Sequence, residues 1–181
     1  MPDEPSDPLA PVARLHDEVD ARAEALARVH AGRLRCGRGC SGCCVDGLEV
    51  FEVEAERIRA RHAELLRTED PAPVGGCAFL DAEGGCRIYA DRPYVCRTQG
   101  LPLRWAAPEG EHRDVCSLND GDRVERGVPL LALPPEDCFE LGPFEARLAA
   151  LQAERQGVRP GAPLRRVALR SLFASTNHGR V

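Results

Sequence analysis

The chain contains no lysine: all 24 of its basic residues are arginine. Mechanisms that need a side-chain amine are therefore excluded, whether Schiff-base chemistry, a Walker-type phosphate lysine or a serine–lysine dyad. Aromatic residues are scarce, at 4% of 181 residues, so a large aromatic core is not expected. Positive charge is also in deficit. The net charge is −5 and the pI is near 5.6, which leaves no basic excess to neutralise a phosphate backbone, so nucleic acid is not an expected partner. Apolar runs are short, Val128 to Leu133 being among the longest, and no transmembrane helix fits. The opening residues Met1, Pro2, Asp3, Glu4 and Pro5 are the opposite of a basic secretory n-region. The expected setting is the cytoplasm, with no membrane partner.

What the chain does have is nine cysteines: Cys36, Cys40, Cys43, Cys44, Cys77, Cys86, Cys96, Cys116 and Cys138. They are about 5% of the chain, below the roughly 8–10% of a small disulfide scaffold. The odd count and the absence of an export signal argue against a disulfide framework. In a reducing compartment, clustered thiols point instead to metal or redox chemistry.

The remaining pattern predicts the organisation. Residues 1–8 read as a disordered tail and 9–35 as an N-terminal helical segment. Its stripe of Val12, Leu15, Val19, Ala23, Leu26, Val29 and Leu34 predicts a helix over Pro11–Leu34. Residues 36–120 form the cysteine-bearing core and 121–181 a C-terminal helical region. Within the core, Val45–Phe51 reads as extended and Val53–Arg67 as a helix. The arms Cys77–Leu80 and Cys86–Tyr89 around Asp81–Gly85 read as a β-hairpin. Asp91-Arg92-Pro93 opens a short helix carrying Cys96. Leu101–Trp105 reads as a strand, and residues 106–127 as mostly polar loop. Helices are predicted over Pro143–Gln156 and Pro163–Ala174. The expected fold is α-rich α+β, a single small domain with a short β-hairpin, organised around a cysteine-bound metal site.

The segment Cys36–Cys44 has the form C-x3-C-x2-C-C. At 100° per residue its four side chains fall within a sector about 100° wide, so even a partly helical backbone collects the sulfurs on one side. Adjacent Cys43 and Cys44 diverge, and either serve one metal each or include one non-ligand. Cys77, Cys86, Cys96 and Cys116 add four more thiols. Together the eight allow one tetrathiolate site, two such sites or one polynuclear cluster, with zinc or iron the natural occupants. Arg35, Arg38, Arg87, Arg92 and Arg97 lie beside these cysteines and can offset a formal charge near −2. Cys138 stands apart and reads as an isolated packing or surface thiol. The histidines His16, His30, His62, His112 and His178 are scattered and are not expected ligands.

The C-x3-C-x2-C-C string, followed by Cys77-Ala78-Phe79-Leu80, Gly85-Cys86-Arg87-Ile88-Tyr89 and Arg92-Pro93-Tyr94-Val95-Cys96-Arg97, closely resembles the bacterial cysteine-cluster proteins of the CxxCxxCC type. The first gap here is three residues rather than two. The resemblance spans residues 36–120 and implies zinc or iron binding, with an iron–sulfur cluster as one form. The flagellin lysine N-methylases resemble the same family, but no S-adenosylmethionine loop is recognisable in this chain. No GxGxxG, P-loop or HExxH motif is present either. The expected partner is thus a metal ion, with a protein partner or substrate left open. The functional alternatives are a redox or group-transfer metalloprotein, a structural zinc module, and a thiol redox sensor or metal-handling protein.

Overall fold

The computed structural model describes residues 7–37, 39–120, 128–159 and 161–174. The expected disorder of residues 1–8 falls largely on residues outside that set, as does much of the C-terminal end. The described residues are rich in helix with small sheets, as the α+β reading expects. They divide into two compact units that interleave along the chain. One runs up to Gly37 and resumes over Pro93–Ala150; the other takes the residues between and those from Leu151 onward.

The first unit is built on α1, Ala10–Val29, whose Val12, Leu15, Val19 and Leu26 are buried along one face, the 3.6-residue stripe of an amphipathic helix. The helix stops five residues short of the expected Leu34. His30 departs from helical geometry, its ring nitrogen meets Asp137 O at 2.6 Å, and the following turn brings Arg33 into the interior. A short helix, α4 (Tyr94–Arg97), packs beside α1, and Arg97 is ion-paired with Asp20. Strands β2 (Leu103–Ala107) and β3 (Gly110–Asp114) form an antiparallel hairpin, and β4 (Phe139–Glu140) runs parallel to β2 on its other side. β3 falls where polar loop is expected. Its Glu-His-Arg-Asp sequence has little strand propensity, and the pairing rests on cross-strand contacts. Trp105 stacks on His112 with centroids 5.6 Å apart, and Arg104 reaches Glu111 at 3.2 Å. Beyond β4 begins α5, Leu141–Gln156. Tyr94 donates its hydroxyl to Leu141 O at 3.1 Å, and Phe139 meets Phe144 at 5.3 Å.

The second unit opens with β1 (Glu49–Phe51), then α2 (Glu52–Arg61) and α3 (Ala63–Thr68). The single expected helix is broken at His62, where φ is −125° and the imidazole turns to the buried Asp91 carboxylate at 3.0 Å. Arg57 shares that carboxylate at 2.9 Å. The expected helix over Pro163–Ala174 is not formed. Arg166–Ala168 is a strand, β5, antiparallel to β1 with Val50 opposite Val167, and Leu169–Leu172 is a single 3-10 turn. A twelve-residue window with a single β-branched residue, Val167, fits either period, and here β1 presents an edge whose backbone groups need partners. Around this pair lies the unit's core: Val50, Ile58, Phe79, Ile88, Leu169 and Phe173 among others, with Cys77 and Cys86 packed against it.

The expected hairpin over 77–89 is reduced to one bridge, Leu80 to Cys86. The Asp81 carboxylate turns back on its own loop, accepting from Gly85 N–H at 2.6 Å and Glu83 N–H at 3.0 Å. Such an Asx turn closes the loop locally and leaves no length of paired strand on either side.

Candidate metal centre

Of the eight expected ligands, Cys40, Cys43, Cys44, Cys77 and Cys86 belong to the second unit, and Cys36, Cys96 and Cys116 to the first. The two groups are held in different ways.

In the second unit, a tight turn closed by Cys44 N–H on Ser41 O (2.9 Å) ends the glycine-rich loop, and Cys77 N–H donates to Cys44 O at 2.8 Å. That bond ties the first cysteine string to the Cys77–Leu80 segment. The Cys44 thiol is pushed up to about 12, first by burial, then by the charges of Cys43 and Cys77, a hydrogen bond with Cys43 and the charge of Cys86. Cys43, Cys77 and Cys86 therefore lie within electrostatic reach of Cys44. Burial also raises the Cys86 thiol, and Cys77 adds to the shift. A hydrogen bond from the Ile88 backbone and the charges of Arg92 and Arg87 pull it the other way. Cys40 lies at the start of the same loop, next to Gly39, where the loop meets the 81–85 turn. A Cβ on Gly84, whose φ is +77°, would stand 3.3 Å from Gly39 O, so glycine lets the two cysteine-bearing segments approach.

Two arginines brace these segments. Arg170, from the 3-10 turn after β5, donates to the Asp46 carboxylate at 2.8 Å, to Ala72 O at 2.6 Å and to Gly76 O at 2.8 Å. It thus holds the residues just after Cys44 and just before Cys77. With Arg170 first and Gly75 N–H next, these bonds hold the Asp46 carboxyl below its ordinary value. Arg87 donates to Ala78 O at 2.6 Å and to Asp70 O at 3.1 Å, with its guanidinium over the Phe173 ring.

In the first unit the Cys36 thiol meets a polar scaffold. Asn119 has no solvent exposure. Its side-chain amide donates to Cys36 Sγ at 3.2 Å and to Gly100 O at 2.7 Å, while its Oδ1 accepts Arg35 N–H at 2.8 Å. Its backbone N–H donates to Cys116 O at 2.7 Å, and its carbonyl accepts from Arg33 at 3.2 Å. Gly100, with φ +92°, allows Cys36 to come close: a Cβ there would lie 2.7 Å from the sulfur. Cys96 sits on α4 as expected, although Pro93 rather than Asp91 precedes the helix.

Of the five arginines expected to offset thiolate charge, Arg87 and Arg92 act on Cys86. Arg97 is committed to Asp20, Arg35 donates to Leu34 O, and Arg38 lies outside the described residues. Cys138 is 1% exposed in the first unit's core, the packing thiol the spacing implies. His16 and His30 are buried, His62 faces Asp91, and His112 stands on β3 rather than in a loop. His178 lies outside the described residues. Sequence reasoning missed Asn119 and Arg170. Asn119 lies in an ordinary polar turn, and Arg170 is one arginine among many.

Among the described residues, no group of three or more His, Cys, Asp or Glu side chains stands in an arrangement that could hold a metal ion. The expected cysteine-bound site is thus not shown by these residues. Their chemistry nonetheless fits a zinc or iron ion. Clustered thiols are groups a divalent cation deprotonates outright, and sulfur is the donor both metals accept in fours.

Residues 35–117 match the CxxCxxCC family, a putative zinc- or iron-chelating domain. All eight cysteines lie inside the CxxCxxCC segment, whereas Cys138, Asn119 and Arg170 lie beyond it. No curated protein and no solved structure matches the chain. No helix among the described residues is long and apolar enough to cross a membrane.

Proposed function

We propose that this chain is a cytoplasmic cysteine-cluster metalloprotein that binds zinc or iron, with Cys43, Cys44, Cys77 and Cys86 as the principal ligands. Cys36, Cys40, Cys96 and Cys116 are further ligands within the same metal-binding core, residues 36–120. The observation that carries this reading is the tie between the two cysteine segments, Cys77 N–H donating to Cys44 O at 2.8 Å, inside a stretch that matches a metal-chelating family. A bound ion would displace the thiol protons and hold the sulfurs as thiolates. Arg87 and Arg92 would balance part of the negative charge beside Cys86. Eight thiols with a vicinal pair exceed what one zinc needs, which favours an iron–sulfur cluster and redox or group-transfer chemistry. A structural zinc module is the second reading, favoured by the packing of Cys77 and Cys86 against the second unit's core.

Metal analysis with a visible spectrum on full-length protein purified without oxygen tests the proposal. The expected result is about one to four metal atoms per chain. Visible absorption from iron–sulfur bonds separates the first reading from the second, since zinc thiolates are colourless. Folded protein free of zinc and iron would contradict both.

A further inference from the structure

We propose that Asn119 is a positioning residue for Cys36, fixing where its sulfur stands as a metal ligand and acting only through it. The inference rests on the reading above, that the chain binds metal through its thiols and that Cys36 is one of them. Asn119 lies outside the segment that matches the chelating family.

The side chain is fully enclosed and every polar atom of its amide is engaged. Nδ2 bridges Cys36 Sγ and Gly100 O at 3.2 and 2.7 Å, and Oδ1 takes Arg35 N–H at 2.8 Å. The residue before Cys36 is therefore pinned by one end of the amide and the sulfur by the other. The Asn119 backbone is itself anchored on both sides, by Cys116 O at 2.7 Å and by the buried Arg33. An amide held this rigidly fixes where the sulfur stands. Gly100 lies against both the amide and the sulfur, since any side chain there would meet the sulfur at its first carbon. Sulfur accepts an N–H bond while keeping lone pairs for a metal, and such outer bonds orient a ligand and lower its electron donation to the ion. Losing an outer partner of this kind typically costs about 10–100-fold in metal affinity.

The test is a double-mutant cycle on full-length protein, titrated anaerobically with cobalt(II), whose thiolate charge-transfer bands report sulfur ligation. In the wild-type background Asn119→Ala should weaken cobalt binding at least about tenfold and reduce the charge-transfer intensity. In a Cys36→Ser background the same change should have no further effect, because the sulfur it serves is gone. Asn119→Ser, which keeps a hydroxyl donor, should recover part of the loss. Asn119→Ser and Asn119→Asp carry the same cycle if the alanine variant does not fold by circular dichroism. An effect of equal size with and without Cys36 would overturn the positioning role and leave the metalloprotein reading intact. Wild-type protein that shows no thiolate–cobalt bands would overturn that reading, and this inference with it.

Discussion

In the second unit, thiols face thiols. Cys44 is raised to about 12 by burial and by Cys43, Cys77 and Cys86, and the segments that carry them are braced from outside by Arg170 and Arg87. In the first unit, Cys36 faces an amide and a glycine, and its surroundings are already satisfied by hydrogen bonds. In the first arrangement ionising Cys44 is costly until a cation offsets the charge; in the second the amide sets where the sulfur stands. Metal binding should therefore depend most on the second unit's thiols, with the first unit's scaffold contributing through orientation.

Cys44→Ser makes the hardest test of that contrast. It removes the thiol at the centre of the interacting group, and the bound metal should fall by more than the roughly 10–100-fold that outer-shell changes cost. Cys36→Ser should lower affinity less, and Cys138→Ser should leave metal content unchanged. Metal analysis on anaerobic preparations reads all three, and a Cys138→Ser loss equal to that of Cys44→Ser would break the assignment. Next in size is Phe79→Ala. Phe79 is 1% exposed beside Phe173 in the core that backs Cys77 and Cys86, so truncation should cost about 3–5 kcal/mol. Denaturant unfolding measures the loss, and the metal content should fall with it. Leu15→Ala in the first unit should cost about 2–5 kcal/mol with smaller effect on the metal.

Arg170→Gln sharpens the comparison further. The substitution releases Asp46 and the 72–76 carbonyls together, and should weaken metal binding about tenfold; Arg170→Lys should restore little, because one ammonium cannot reproduce the forked contacts. The smallest effect concerns pH. Glu111, in the first unit's hairpin, is held below its ordinary value first by Arg113, with Arg104 adding to it. A depressed carboxylate contributes stability above its unfolded value and loses it as pH falls through the folded one. Glu111→Gln should therefore slightly flatten the acid side of the hairpin's stability profile, followed by Trp105 fluorescence, without changing metal content at neutral pH.

The helices with long stripes were legible in the residues. Val12, Leu15, Val19 and Leu26 mark α1, and Phe144, Leu148 and Leu151 mark α5, because burial along one helix is a local property. The segment over Pro163–Ala174 was not, since its strand exists only through pairing with Val50 and its neighbours, a contact more than a hundred residues away in sequence. β3 was illegible for a related reason, its charged residues being held by partners across the hairpin. At the site, the cysteines announce themselves by type and spacing, but not which of them interact. Asn119 and Arg170 carried no signal, because an asparagine in a turn and one more arginine look like surface until the fold encloses or aims them.

Hydrogen exchange with and without a strong chelator, with metal loss confirmed on the same samples, tests the central claim most directly. Backbone protection reports local opening segment by segment, and metal-binding free energy in thiolate sites acts as folding free energy. Removing the metal should abolish protection over Cys40–Cys44 and Cys77–Cys86 while α1 and the β2–β3 hairpin keep theirs. Unchanged protection across both cysteine segments after the metal has gone would show that the thiols are held without it, and would contradict the account.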